Sequence, residues 1–268
     1  MDYSVSFADM CEGLSRHDEA WRARVPQSWR QGRTCFGGLT TGLAYAAATS
    51  EFPDLPPLRS VVVNFTGPVG EAPDFAPTLL RRGRNMSTVG VDVMSEGQLG
   101  ARITFSFGHG RDSTISKTQN RGAPATPLSE YELFTPKAME PFVPNFFLHF
   151  DTRLIEGHRP MSGADDGHIF TASRHKDVRS RAGMAALLAI ADVLPPAALP
   201  MSKTMGPVSS VNWMINILTE DISTDDGWWL IDTRLNDAGQ GYSSQTMTLW
   251  DAGGRPVIDA MQSVALFL

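Results

Sequence analysis

The chain has 268 residues, of which 42% are hydrophobic and 19% charged, and it carries a formal net charge of -6. This balance suits a globular protein long enough to bury its own core and excludes general disorder. The negative charge disfavours a nucleic-acid coat or a binder of anionic membranes, so an anionic ligand needs a local basic pocket.

The N-terminal run MDYSVSFADM has neither the basic nor the apolar region of a secretory signal. Cys11 and Cys35 are the only cysteines; they cannot make a disulfide framework and are read as reduced thiols of a cytoplasmic protein. Phe36 to Phe52 (FGGLTTGLAYAAATSEF) is small or apolar on all sides and ends before FPDLPPL. It is predicted to be a buried helix. Strand-like runs follow at Leu58–Phe65, Ala76–Gly83, Met86–Gly97 and Ala101–Gly108. The Pro-, Ser- and Thr-rich stretch from Ser113 to Phe142 reads as a linker over the surface. A second all-apolar helix is predicted within Arg181–Pro200, stopped by Pro195 and Pro196. Its longest apolar run, Ala182 to Ala191, is too short to span a bilayer. Four more strand-like runs close the chain: Pro207–Leu218, Trp228–Leu235, Tyr242–Gly254 and Val257–Leu268. SEGQ (Ser95–Gln98) and DAGGR (Asp251–Arg255) read as hairpin turns.

The same unit therefore occurs twice: one buried helix, then an antiparallel meander. A helix apolar all round must be enclosed, and a curled antiparallel sheet encloses it most simply. The fold class is α+β, a tandem or double hotdog. Its expected parts are residues 1–115, a linker at 116–142, and residues 143–268.

With these segments in order, the sequence resembles the TesB-type acyl-CoA thioesterases, also called acyl-CoA thioesterase II, which are double hotdogs. In the N-terminal half the resemblance is carried by FGGLTTGLAYAAA, LRSVVVNFTGPV and LRRGRNMSTVGVDVMSEGQLGARITFSF. In the C-terminal half it is carried by LLAIADVLPP, SSVNWMINI and WWLIDTRLNDAGQGYSSQTMTLWDAGGRPVIDAMQS. The resemblance implies three polar residues holding an attacking water without a covalent intermediate: Asp192, Ser210 and Gln262. The chain departs from the family pattern after the serine. Asn212 and Trp213 replace an Asp-His pair, and Ile217, Leu218, Thr219 and Glu220 replace an aromatic-His-Arg-Pro run.

In such a site Asp192 is the natural base, with its pKa raised by burial. Ser210 and Gln262 each hydrogen-bond the water, and the Gln amide is also able to accept from it. Gly37 and Gly38, which open the first helix, are candidates to present backbone N–H groups to the oxyanion. The first helix has only Ala46, Ala47 and Ala48 where the second has Asp192, so one active site per chain is expected. Coenzyme A carries phosphates, and Arg174, Lys176, Arg179 and Arg181 are the candidate basic cluster, with Arg81, Arg82 and Arg84 as a second.

Taken singly, Asp192 also reads as an exposed helix end, Ser210 as a strand-edge hydroxyl and Gln262 as a solvent-facing residue. The basic clusters also read as solvated faces. The histidines are scattered without metal-ligand spacing, and no GxSxG, P-loop or Rossmann fingerprint occurs. The expected reaction is hydrolysis of acyl-CoA to free acid and CoA, with no metal or organic cofactor, no nucleic-acid partner and no membrane insertion, in a homo-oligomer. The alternatives are an acyl-CoA binder without turnover and a hotdog enoyl-CoA hydratase or dehydratase.

Overall fold

The computed structural model describes residues 2–268. The first half contains α1 (Phe7–Glu12), β1 (Ser15–His17), β2 (Ala20–Arg22), β3 (Arg30–Gln31), β4 (Thr34–Cys35), α2 (Gly37–Glu51), β5 (Leu58–Phe65), β6 (Asp74–Arg82), β7 (Met86–Ser95) and β8 (Gln98–Gly108). The second contains β9 (Phe150–Gly157), β10 (His168–His175), α3 (Met184–Ala191), β11 (Val208–Ile217), β12 (Trp229–Gly239), β13 (Tyr242–Asp251) and β14 (Pro256–Leu266). Twelve of the strands form one sheet in the order β1-β2-β6-β7-β8-β5-β11-β14-β13-β12-β10-β9. The two halves join edge to edge where β5 pairs antiparallel with β11, Val62 opposite Met214.

The strands alternate as half-buried strands should. On β7 and β8, Val89, Val91, Val93, Ile103, Phe105 and Phe107 all point inward and are fully buried. Each such side chain contributes about 1.5–3 kcal/mol through the water it sheds. The SEGQ turn is a tight hairpin in which Glu96 and Gly97 take φ of 52° and 78°, the left-handed pair that matches strand twist.

The helices lie on the inner face, side by side and antiparallel. Every residue of α2 from Gly38 to Ala44 is buried. Two glycines set the approach to α3: a Cβ at Gly38 would stand 2.4 Å from the Ala189 carbonyl oxygen, and one at Gly42 2.6 Å from that of Ala185. No side chain larger than hydrogen fits at either place. The buried hydroxyls of Thr40 and Thr41 donate to the carbonyls of Phe36 and Gly37.

Three sequence expectations change. The second helix is shorter than Arg181–Pro200: it starts after Gly183, at φ 90°, and ends at Asp192, after which Pro195 and Pro196 supply no N–H to continue it. Each half also has two strands of the large sheet ahead of its helix, β1 and β2 in one and β9 and β10 in the other, and the first half adds the separate β3–β4 pair; the helix-then-meander unit lacks all of these. The stretch read as a surface linker is pinned to the body. Phe134 is buried, its N–H donates to the Thr152 carbonyl at 2.9 Å, and Leu133 bridges to Arg153. Among the described residues no helix is long and apolar enough to cross a membrane.

Candidate active site

A cavity of about 560 Å³ opens where α2 begins and α3 ends. Apolar side chains from both halves wall it, including Phe36 and Phe65 from the first and Phe146 and Leu194 from the second. The pinned segment supplies Phe134, Met139 and Phe142, so the stretch expected to run over the surface builds a wall of the site.

Asp192, Ser210 and Gln262 all line this cavity. Three elements converge to bring them there. Asp192 caps the C-terminal end of α3. Gln262 sits at an inward position of β14, between Ala260 and Val264, which also face the core. Ser210 depends on an irregularity: the β11–β14 register shifts between Ser210 and Asn212. The extra residue, Val211, lets Ser210 and Trp213 face inward together, although a regular strand would turn residues three apart to opposite faces.

Gln262 ties the set together. Its Nε2 donates to Asp192 Oδ1 at 2.9 Å and to Ser210 Oγ at 3.0 Å. Asp192 Oδ2 accepts from the Gly38 N–H at 2.9 Å. The acid of one helix therefore sits on the N-terminal end of the other, where free amides and the helix dipole favour an anion. Burial opposes them and dominates, pushing the Asp192 carboxyl up to about 7, while the Gln262 and Gly38 hydrogen bonds pull it down.

This geometry corrects two sequence expectations. Both amide hydrogens of Gln262 are engaged by Asp192 and Ser210, and its Oε1 accepts from Gln245 Nε2 at 2.8 Å. The amide thus orients the acid and the alcohol rather than accepting from a water. Gly38 likewise gives its N–H to Asp192, which leaves Gly37 as the cavity-lining amide of the pair.

The basic cluster is not brought to this cavity. It precedes α3, whereas Asp192 follows it, and eight helical residues span about 12 Å. Arg174 pairs with Asp151 and Asp226 and lies over the Trp228 ring, 4.3 Å from its centroid. Arg181 also pairs with Asp226, and Arg179 pairs with Asp9 and Glu12. Lys176 and Arg179 line a separate, smaller cavity beside His149 and Trp29. Of the second cluster, Arg82 pairs with Asp54. The cation that does line the Asp192 cavity is Arg159, which sequence reasoning missed. It donates to the carbonyls of Phe134 and Leu133 at 2.8 and 2.9 Å and pairs with Glu132. Gln245 was also missed, although a glutamine at an inward position of an alternating strand is itself a signal.

Comparison with known proteins agrees with this architecture. The acyl-CoA thioesterase N-terminal domain family matches residues 25–108, and the acyl-CoA thioesterase C-terminal domain family matches residues 124–266. No curated protein matches the chain. Among solved structures, a conserved hot dog fold protein from Alicyclobacillus acidocaldarius is 22% identical with a TM-score of 0.83, covering 98% of each chain. The tesB protein MAP1729c of Mycobacterium avium subs paratuberculosis is 15% identical, with a TM-score of 0.73 and 97% of each chain covered. The acyl-CoA thioesterase II TesB2 of Mycobacterium marinum is 18% identical, with a TM-score of 0.70 and 96% of each chain covered. At these identities the structures establish the double hotdog fold, and the two family matches, one in each half, establish that the chain belongs to the acyl-CoA thioesterase family and is a thioester hydrolase.

Proposed function

We propose that the chain hydrolyses acyl-CoA to free acid and CoA by means of a water activated directly by Asp192. The observation that carries this reading is the Gln262 amide bridging Asp192 and Ser210 at one end of an apolar cavity. Asp192 has acceptor capacity beyond its two hydrogen bonds, and its raised pKa matches a base working near neutral pH. Ser210 already accepts from Gln262, so its own O–H is left to donate into the cavity and orient the water.

The water oxygen bonds to the thioester carbonyl carbon as its proton passes to Asp192. The carbonyl electron pair moves onto oxygen, where the Gly37 N–H at the positive end of α2 stabilises it. Collapse re-forms the carbonyl and breaks the C–S bond. The departing sulfur takes the proton back from Asp192, which restores the base. The apolar walls hold the acyl group, and Arg159 meets an anionic part of the CoA moiety.

Thiol release measured with DTNB across acyl-CoA chain lengths tests the reading. The wild type is expected to release CoA. Asp192→Ala is expected to lose most of that turnover while still binding acyl-CoA. Tight binding without release, hydration of crotonyl-CoA in place of hydrolysis, or undiminished turnover by Asp192→Ala would each overturn it.

A further inference from the structure

Gln245 takes no part in the steps above, yet it is almost completely buried directly behind them. It lies on β13, opposite Gln262 on β14, and both side chains face inward. The two ends of a carboxamide have nearly the same shape, so partners must decide which way each amide points.

One partner in this network has no choice. The backbone N–H of Ala197 is only a donor, and it lies 2.7 Å from Gln245 Oε1. The opposite end of Gln245 is therefore its NH2, which meets Gln262 at 2.8 Å. A donor there requires the Gln262 oxygen. The Gln262 NH2 must then face Asp192 and Ser210, as it does. A single peptide N–H, five residues beyond Asp192 in the chain, thus sets the sense of two amides in series.

The sense matters because the opposite one is chemically accessible. With Gln262 reversed, its carbonyl would face Asp192 and favour the protonated acid, which would donate to it. Ser210 would then turn its O–H toward Gln262 and away from the cavity. Resting on the proposed role of Asp192, we propose that Gln245 is a positioning residue that locks the Gln262 amide as a double donor, keeping Asp192 an acceptor and the Ser210 O–H directed into the cavity.

Two variants test this. Gln245→Met keeps length and removes both hydrogen bonds, leaving Gln262 free to reverse. Gln245→Glu still accepts from Ala197, but once ionised it has no hydrogen for Gln262 and draws the Gln262 NH2 toward itself. The readout is the pH profile of kcat and kcat/KM for thiol release, on protein whose fold is checked by circular dichroism. In Gln245→Met the acid limb is expected to move upward by about one pH unit, with KM within threefold of wild type. In Gln245→Glu, kcat on the alkaline plateau is expected to fall at least tenfold, again with little change in KM. A merely structural role would scale activity equally at every pH and leave the limb in place. Either variant suffices if the other does not fold.

Asp192→Asn is measured alongside. If it keeps its turnover, the catalytic reading falls and this inference with it. If Asp192→Asn is inactive while a folded Gln245 variant keeps the wild-type limb and plateau, the inference about Gln245 alone is overturned.

Discussion

Replacing Asp192 with asparagine should change how stability depends on pH, in a direction opposite to that of a salt-bridged carboxylate. The carboxyl titrates near 3.8 when unperturbed and near 7 in the folded chain. Between those values the folded protein holds a proton that the unfolded chain has released. The group's contribution to stability is therefore full below about 4, falls as pH rises through the window, and is gone above about 7. The interval corresponds to a loss of order 4 kcal/mol for the wild type. Asparagine does not titrate, so its stability lacks this slope, and the other carboxylates are common to both proteins and cancel in the difference.

Asparagine also places an NH2 against either the Gly38 N–H or the Gln262 NH2, donor against donor, at a cost of about 1–3 kcal/mol. The wild type should therefore be the more stable protein at pH 4 and the variant the more stable at pH 8. Urea denaturation followed by tryptophan fluorescence across this range measures the difference. A difference that stays flat from pH 4 to pH 8 would refute the claim that burial dominates at Asp192.

Further outcomes follow from the same geometry. The wild-type kcat/KM should rise about tenfold per pH unit below 7 and level off above it, because the base must be ionised; an inflection near 4 would contradict the raised pKa. Gly38→Ala would force a Cβ to within 2.4 Å of the Ala189 oxygen and 2.9 Å of Asp192 Cβ. It should cost about 2–3 kcal/mol in a urea melt and lower kcat together with stability. Arg159→Gln should raise KM several-fold for an acyl-CoA, but not for the N-acetylcysteamine thioester of the same acid, which lacks phosphates. Arg174→Gln should leave KM for acyl-CoA within twofold, since that guanidinium is held by Asp151 and Asp226 away from the cavity.

Most of the fold was legible because its signals are local. The eight strands after the helices announce themselves by alternation and by Gly-, Asn- and Asp-bearing turns, and α2 by apolar residues on every side. What precedes each helix was less visible. In Phe150–Gly157, within the expected C-terminal hotdog, the alternation is present over one short run, with Phe150, Thr152 and Leu154 buried and charged residues between them. Asp192, Ser210 and Gln262 were placed by resemblance, and the structure joins them through one amide. The misplacement of the basic cluster has a physical origin: proximity to α3 in sequence says nothing about which end of the helix a residue reaches. Gln245 had a local signal in the alternation of β13, but the contacts that place Arg159 and Gln245, with Phe134 and Ala197, come from far along the chain and no local pattern encodes them.

The continuous sheet through β5 and β11 has an evolutionary corollary. When two identical subunits assemble around a twofold axis, any substitution appears at both symmetry-related helix junctions, so a residue tuned for chemistry at one is imposed on the other. Joining both copies in one polypeptide lifts that constraint. Here the end of α3 carries an acid, Asp192, that accepts from Gly38 on α2. The end of α2 lies beyond Ala46, Ala47 and Ala48, the residues expected there from sequence: it is capped by Phe52, and its last residue, Glu51, is tied to Trp21 and Arg16. A single polypeptide thus allows its two helix ends to differ, as these do.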